Sequence, residues 1–287
     1  MSTSGFWREV GYELSKLKSQ KKNFVAAGGH LLLLLLCLFG LWSRGSSFMS
    51  RNLGRFDYGV DPSMFLDGLF FARAALLPTF LVLMPIFVCT LAGESLAGEY
   101  QDGTLKLYLA RGRSRTRLVL IKFTAIYLFT LLFSVYFGIL GLAVGTGVFG
   151  WSDSQLVLMN SRALGSDFVL MTPWAAMKGY ICSVFYFSLS GMALGGVAMF
   201  LSSIFNRMTG ATVGAITFYF VCYIVDGLPF ADAVRPYLLS RTMDGAFVFW
   251  LPELPWGQFT ANMLLLAAYT TVSLLLAICI FGNKDIR

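Results

Sequence analysis

Apolar residues are concentrated in six long stretches, and charged or proline- and glycine-rich segments separate one stretch from the next. An α-helix rises about 1.5 Å per residue, so about 20 apolar residues are enough to cross a hydrocarbon core about 30 Å thick. The pattern therefore predicts an all-α integral membrane protein with six transmembrane helices. The predicted spans cover residues 24–42, 74–92, 118–147, 174–201, 209–226 and 258–281.

The residues before the first span have a helical pattern of their own. The apolar positions at helical spacing are Phe6, Val10, Leu14 and Leu17. Because charged residues occupy the other faces, we expect residues 1–23 to form a cytoplasmic interfacial helix on the inner leaflet. The alternative is a plain cap on the helix bundle. With a bundle over 24–281 and a cytoplasmic tail at 282–287, the sequence predicts a single transmembrane domain over 1–287.

The second and the later spans contain residues that affect helix geometry. Pro78 and Pro85 each lack an N–H donor and crowd the preceding turn, so we expect the second span to bend. Pairs of glycines four residues apart indicate close helix packing in spans three, four and five. These pairs are Gly141 with Gly145, Gly191 with Gly195, and Gly210 with Gly214. The sequence leaves open whether they pack within the chain or against a second copy.

Two connections are long enough to have structure of their own. Residues 43–73 carry charges of both signs and are predicted to form a solvated cap outside the membrane. Residues 227–257 combine four prolines with aromatic residues, a composition typical of short broken helices at the bilayer interface.

Composition and charge place the chain in a membrane and orient it. It is 57% hydrophobic and 13% charged, whereas a soluble domain has roughly 25% charged residues. Fourteen of the 22 lysines and arginines fall on the side of the predicted spans that holds both termini. Since cationic loops stay cytoplasmic, both termini are predicted to lie inside the cell (inner) membrane. The cations flank apolar spans, so membrane lipids are the expected counter-charge and nucleic acid is not an expected partner.

Residues suited to catalysis or metal binding are scarce. All five cysteines fall within predicted spans without a CxxC pair, and the chain has one histidine, His30. No G-x-x-x-x-G-K-[ST] loop is present to bind ATP phosphates. We therefore expect no catalytic site, no metal site and no cofactor bound by this chain.

The segment that joins spans two and three on the predicted cytoplasmic side is strongly patterned. Asp102 and Gly103 form a turn signal, after which Leu105 and Leu109 share one face of a short amphipathic helix. A charge at the bilayer centre costs about 3 kcal/mol, so the carboxylates at the end of span two should contact water or a basic partner. These carboxylates are Glu94 and Glu99. The basic residues that follow are expected to bind lipid phosphates or an ATPase, and they are Arg111, Arg113, Arg115 and Arg117.

This segment resembles the corresponding one in the ABC-2 family of ATP-binding-cassette (ABC) transporter permeases. That family has the form E-x-x-x-G-T-L-x-L-x-L-x-x-P-x-S-R, with Lys-Phe soon after. The matching residues are Glu99, Gly103, Thr104, Leu105, Leu107, Leu109, Ser114, Arg115, Lys122 and Phe123. Gly112 stands in place of the proline. A weaker likeness extends to Ser202 and Ser203, and to Phe281 with Lys284.

The resemblance implies a permease subunit that is not itself an enzyme. Its inner segment would be a coupling helix that docks in a groove of a separate cytoplasmic ABC ATPase, which uses ATP and Mg. Two ATPase copies and a second permease copy, in a homodimer, would complete the transporter. The implied ATPase-coupling residues are Glu94, Glu99, Gly103, Thr104, Leu105, Leu107, Leu109, Arg111, Ser114 and Arg115.

Export of a hydrophobic or amphipathic substrate is likewise implied by the resemblance alone. Three other classes are weighed against it. An ion- or proton-coupled secondary transporter usually has acidic groups near the midplane, and the predicted spans contain almost none. A membrane-embedded enzyme needs a catalytic pair, and His30 has no partner at a suitable spacing. An ABC protein that transmits signals or force needs a large outer domain, which the sequence lacks.

Overall fold

The computed structural model describes residues 3–53, 66–105, 108, 114–153, 155–161, 165–251 and 253–284. Within these ranges, six helices are long and apolar enough to cross a membrane. They are Lys22–Gly45, Gly68–Gln101, Arg115–Phe149, Pro173–Ile204, Met208–Asp226 and Trp256–Asn283. Each contains one of the six predicted stretches, which confirms a mostly helical, multi-pass membrane protein.

The helices are α1 (Thr3–Lys18), α2 (Lys22–Leu53), α3 (Gly68–Pro78), α4 (Met84–Gln101), α5 (Arg115–Phe149), α6 (Pro173–Ile204), α7 (Met208–Asp226), α8 (Leu239–Met243) and α9 (Trp256–Asn283). We call the end of the bundle where α1, the start of α5 and the end of α9 meet the terminal end. The opposite end is the distal end. α6 is the central helix, because it contacts α4, α5, α7 and α9.

The second span, which was expected to bend at its prolines, has an irregular turn between them. α3 ends at Pro78, a π-helical turn follows over Thr79–Leu83, and α4 continues from Met84. Pro85 has no N–H to donate, and the carbonyl of Leu81 four residues earlier accepts a 2.8 Å hydrogen bond from the Tyr219 hydroxyl of α7 instead. The hydrogen bond from Tyr219 thus stabilises the irregular turn that divides this span into α3 and α4. Such π-helical turns are frequent at functional sites.

The predicted solvated cap over residues 43–73 is much shorter than expected. α2 continues to Leu53 and α3 begins at Gly68, while residues 54–65 lie outside the described part of the chain. Asp67 caps α3 by accepting a hydrogen bond from the amide of Phe70 at 2.8 Å. Arg73 is therefore a buried helical residue and not part of a loop.

The glycine pairs pack within the chain. A Cβ on Gly145 would overlap the carbonyl oxygen of Gly68, so α3 and α5 cross in backbone contact. Gly191 and Gly195 of α6 lie against α4 and α5, and both glycines at the start of α7 lie against residues at the end of α6. Small residues thus permit the close helix approach that stabilises a bundle in lipid.

The distal end holds a β-hairpin that the sequence did not predict. β1 (Gln155–Ser161) pairs antiparallel with β2 (Gly165–Met171), with Gln155 opposite Met171. The expected short broken helices are present nearby: a 3₁₀ turn at Arg235–Tyr237, then α8, then a 3₁₀ helix over Asp244–Trp250. The last of these packs on α6 and is largely buried.

α1 packs against α5 at the terminal end. Val10 and Leu17 are buried, and Phe6 and Leu14 pack against the same core. The apolar stripe that was expected to lie on lipid therefore faces the bundle. Trp7 is on the exposed side of the helix.

Candidate functional site

The segment after α4 folds back toward the bundle. Asp102 and Gly103 form the predicted turn, and Gly103 has a φ of +71°, a backbone conformation that favours glycine. Thr104 and Leu105 begin the expected short helix, and the Thr104 hydroxyl donates to the carbonyl of Glu99 at 3.3 Å. Leu107, Leu109 and Arg111 lie outside the described residues.

The apolar side of this short helix is anchored in the protein core. Leu105 is 1% exposed and belongs to the main hydrophobic cluster, and Tyr108 packs against that cluster. Leu105 therefore positions the segment and has no free surface to offer a partner.

Ser114 and Arg115 fix the start of α5. The Ser114 hydroxyl accepts a hydrogen bond from the amide of Arg117 at 3.3 Å and caps the helix. The guanidinium of Arg115 donates to the carbonyls of Phe281, Gly282 and Lys284 at 3.2, 2.9 and 2.6 Å. Arg115 was expected to bind lipid phosphate or an ATPase, but it caps the C-terminus of α9, where a cation is favourable.

Glu99 lies between two lysines. Its carboxylate accepts from Lys122 at 2.7 Å and from Lys16 at 2.5 Å. Lys122, whose side chain is 3% exposed, also donates to Glu13 at 3.1 Å. Glu99, at the start of the resembling segment, and Lys122, near its end, are therefore in direct contact through a partly buried ion pair.

Two further ion pairs surround this centre. Lys22 donates to Glu94 at 2.5 Å, and Arg117 donates to Glu9 at 3.1 Å. Glu94 and Glu99 were expected to contact water or a basic partner; the basic groups that they contact are lysines of the same chain, and the Glu94 side chain is also 32% exposed. We call the following eight residues the terminal ion cluster: Glu9, Glu13, Lys16, Lys22, Glu94, Glu99, Arg117 and Lys122.

A cavity of about 130 Å³ is lined by every residue of the terminal ion cluster except Glu9 and Arg117. Its polar lining comes from α1, α2, α4 and α5, and its apolar lining includes Leu91 and Ile126. Burial lowers the pKa of Lys16, but the hydrogen bond to Glu99 and the charges of Glu99 and Glu13 outweigh it and raise that pKa. Lys16 is therefore held in its charged form.

Residues with the weaker likeness fasten the same end of the bundle. The Ser202 hydroxyl accepts from the amides of Leu96 and Ala97 and donates to the carbonyl of Gly93 at 2.6 Å, so α6 bonds directly into the backbone of α4. The ammonium of Lys284 donates to the carbonyls at the end of α6 at 2.9 to 3.2 Å.

No partner was predicted for the acidic residues of α1. Glu9 and Glu13 are four residues apart and therefore share a helix face, which is the signal that could have indicated a common partner surface. Their partners, Arg117 and Lys122, are more than 100 residues away, and only the packing of α1 on α5 brings them together. Among the described residues, no group of three or more His, Cys, Asp or Glu could hold a metal ion.

Comparison with known proteins gives a family without a described activity. The family described as "Protein of unknown function (DUF2705)" matches residues 33–287. "Uncharacterized protein YhcI" of Bacillus subtilis (strain 168) is 26% identical over 220 residues, which are 72% of this chain and 66% of that protein. The chain thus spans slightly less than two thirds of that relative's length.

Proposed function

We propose that this chain, which belongs to the DUF2705 family, is the membrane-spanning permease subunit of an ABC transporter. A separate cytoplasmic ATPase supplies the energy by hydrolysing ATP with Mg. The observation that carries this proposal is the partly buried contact between Glu99 and Lys122, which joins the start of the resembling segment to a residue near its end.

The terminal ion cluster supports a role in coupling. A force on the segment after Gly103 reaches Glu99 through the last turn of α4, and Glu99 is bonded to both α1 and α5. Because Glu99 has two lysine partners and Lys122 has two glutamate partners, these ion pairs can exchange without leaving a bare buried charge. Such exchange gives the two alternative arrangements that a coupled transport cycle requires.

The second span is suited to carry this movement across the membrane. It is one apolar stretch from Gly68 to Gln101, but the π-helical turn at Thr79–Leu83 divides it into α3 and α4. A displacement of α4 can therefore change its angle to α3 without unfolding either helix.

The remaining features belong to the same proposal. The terminal end faces the cytoplasm, so both termini lie inside the cell membrane, and α1 lies at the inner interface with Trp7 toward the lipid. Two permease copies and two ATPases form the complete transporter. Its cargo is a hydrophobic or amphipathic molecule that leaves the cell, as the resemblance implies.

The test is to express the chain with the P-loop ATPase encoded nearest its gene, purify the complex in mild detergent and reconstitute it in nanodiscs. We expect the ATPase to copurify and its hydrolysis rate to differ from that of the free subunit. Glu99→Lys should keep the complex assembled but remove that difference. Lys18→Glu, which changes an exposed residue of α1 outside the cluster, is the matched control.

Two outcomes would contradict the proposal. If no ATPase copurifies, the chain is not an ABC permease. If Glu99→Lys leaves the hydrolysis rate of the complex unchanged, the terminal ion cluster is not a coupling site.

A proton- or ion-driven secondary transporter is the second candidate, and one observation favours it. His30 is a buried titratable residue in the first span, and its Nδ1 lies 3.3 Å from the hydroxyl of Thr79 at the start of the π-helical turn. Intramembrane ionisable groups often take part in proton transfer. Proteoliposomes with an internal pH dye and no ATP decide the matter: proton flux that is lost in His30→Gln would favour this class over an ABC permease.

A further inference from the structure

Three hydroxyl groups in the middle of the bundle have no hydrogen-bond partner among the described residues. They belong to Thr130 and Ser134 of α5 and to Ser188 of α6, and each residue is at most 1% exposed. Other hydroxyls of the same helices donate to the carbonyl four residues earlier, as Thr124 and Ser190 do at 2.8 and 3.1 Å. A buried hydroxyl without a partner is unfavourable and needs an explanation.

The contacts between α5 and α6 show how these hydroxyls are placed. A Cβ on Gly138 would lie 2.9 Å from a methyl carbon of Val184, and a Cβ on Gly191 would lie 2.9 Å from the methyl carbon of Thr130. The two helices are therefore antiparallel, and glycine on one helix meets a branched side chain on the other. We call this contact the α5–α6 seam.

Helical periodicity places the two serines in the seam. Ser134 is one turn from both Thr130 and Gly138, so it lies on the face of α5 that contacts α6. Ser188 is one turn from both Val184 and Gly191, so it lies on the face of α6 that contacts α5. The serines therefore occupy the same level of the seam, and this level is near the midpoint of both helices.

A cluster of phenyl rings occupies the neighbouring faces at the same level. Stacked pairs join Phe80 to Phe187 and Phe87 to Phe133, each with ring centroids 4.4 Å apart. Phe129 and Phe137 complete the cluster through further ring contacts. The unpartnered hydroxyls thus lie beside an aromatic surface in the middle of the bundle.

We propose that the α5–α6 seam and the phenyl cluster bind an aromatic hydrophobic molecule that carries a hydroxyl or carbonyl group. The rings of the protein stack on the molecule, and Ser134 and Ser188 hydrogen-bond its polar group. Entry requires α5 and α6 to separate, which breaks the van der Waals contacts at the glycines and the 2.7 Å hydrogen bond that the Tyr180 hydroxyl of α6 donates to the carbonyl of Gly138. The inference rests on the proposed function in one respect, since it makes this site the substrate site of the permease.

The test measures binding to the purified full-length chain in nanodiscs, without any ATPase. The probes are pyrene and 1-hydroxypyrene, which share an aromatic frame and differ by one hydroxyl, and energy transfer from tryptophan reports binding. We expect the double variant Ser134→Ala, Ser188→Ala to lose affinity for 1-hydroxypyrene by about tenfold and to keep its affinity for pyrene. Ser190→Ala, whose hydroxyl already has a partner, is the matched control and should bind both probes as the unmodified chain does.

Thermal unfolding without a probe separates a binding role from a structural one. Because the two hydroxyls have no partner among the described residues, the Tm of the double variant should be unchanged or raised by about 2 °C. A lower Tm, or an unchanged affinity for 1-hydroxypyrene in the double variant, overturns the inference. Normal probe binding with no copurifying ATPase would support the site while contradicting the ABC permease, so the two failures are distinguishable.

Discussion

The two ends of the bundle accommodate buried charge in different ways. At the terminal end, eight charged residues from four helices form ion pairs beside a cavity, and Glu99 and Lys122 each have two partners. At the distal end, Gln155 bridges the two charged residues Asp67 and Arg73 by donating to the first and accepting from the second. Asp67 also accepts from the backbone amides of Phe70 and Ser152.

This difference separates a region that can rearrange from one that is fixed. Ion pairs with two possible partners exchange at small cost, whereas a carboxylate held by backbone amides has one arrangement. The distal bonds also lie next to the backbone contact of Gly68 with Gly145, where neither helix can slide. Movement should therefore begin at the terminal end and pivot on the distal end.

The largest effect should come from removing the distal cation. Arg73 is 4% exposed, and Asp67 is the main charge that it faces. Arg73→Leu removes the cation that faces the buried Asp67 carboxylate, which should cost about 3–5 kcal/mol of unfolding free energy and lower the Tm by about 10 °C.

Thermal unfolding in detergent gives this measurement, and Arg44→Leu is the control because it removes an exposed arginine from α2. Equal losses of Tm in the two variants would show that the distal end is not the fixed region.

The next effect concerns the helix crossing. A methyl group on Gly145 would overlap the carbonyl oxygen of Gly68, so Gly145→Ala must push α3 and α5 apart. We expect a cost of about 1–3 kcal/mol and a fall in Tm of about 5 °C. Gly147→Ala, two residues further along α5, has nothing within 4 Å of its new methyl group and should be neutral or slightly stabilising. A similar fall in both variants would contradict a crossing fixed by backbone contact.

The features that the sequence predicts at each end are those that depend on residues close together in the chain. The six spans were predictable because hydropathy is local, and so was the irregular second span, because Pro78 and Pro85 act on adjacent turns. The hairpin was not, because each of its strands has a run of four apolar residues, too short to distinguish from helix or loop.

The candidate site was predictable only in part. The patterned segment indicated Glu99 and Lys122, but not that they touch each other. Lys16 is 83 residues from Glu99, and no local pattern indicates such a contact. The three unpartnered hydroxyls were not predictable either. The sequence does not indicate whether the hydroxyl of a serine or threonine near a helix midpoint has a hydrogen-bond partner.

A smaller effect should follow from exchanging charges at the terminal end. Glu94 and Lys22 have side chains 32% and 23% exposed, so solvent screens their attraction. Glu94→Lys should lower the unfolding free energy by about 1 kcal/mol through contact of like charges. Adding Lys22→Glu should restore most of that loss, because the pair is re-formed with its signs reversed. Thermal unfolding of the two single variants and the double variant measures the coupling, and independent single effects would show that the pair does not form.

The smallest expected effect is a different response of the two ends to salt, which needs no mutation. Raising NaCl from about 0.15 M to about 1 M shortens the screening length from about 8 Å to about 3 Å, which weakens partly exposed ion pairs more than buried hydrogen bonds. Amide hydrogen exchange in α1 should therefore become several-fold faster, because three of its contacts with α4 and α5 are ion pairs. Exchange in α3 should stay the same, since Asp67 and Gln155 hold its start by buried hydrogen bonds. Equal acceleration of both helices would mean that salt loosens the whole bundle, and the terminal end would then have no special freedom to rearrange.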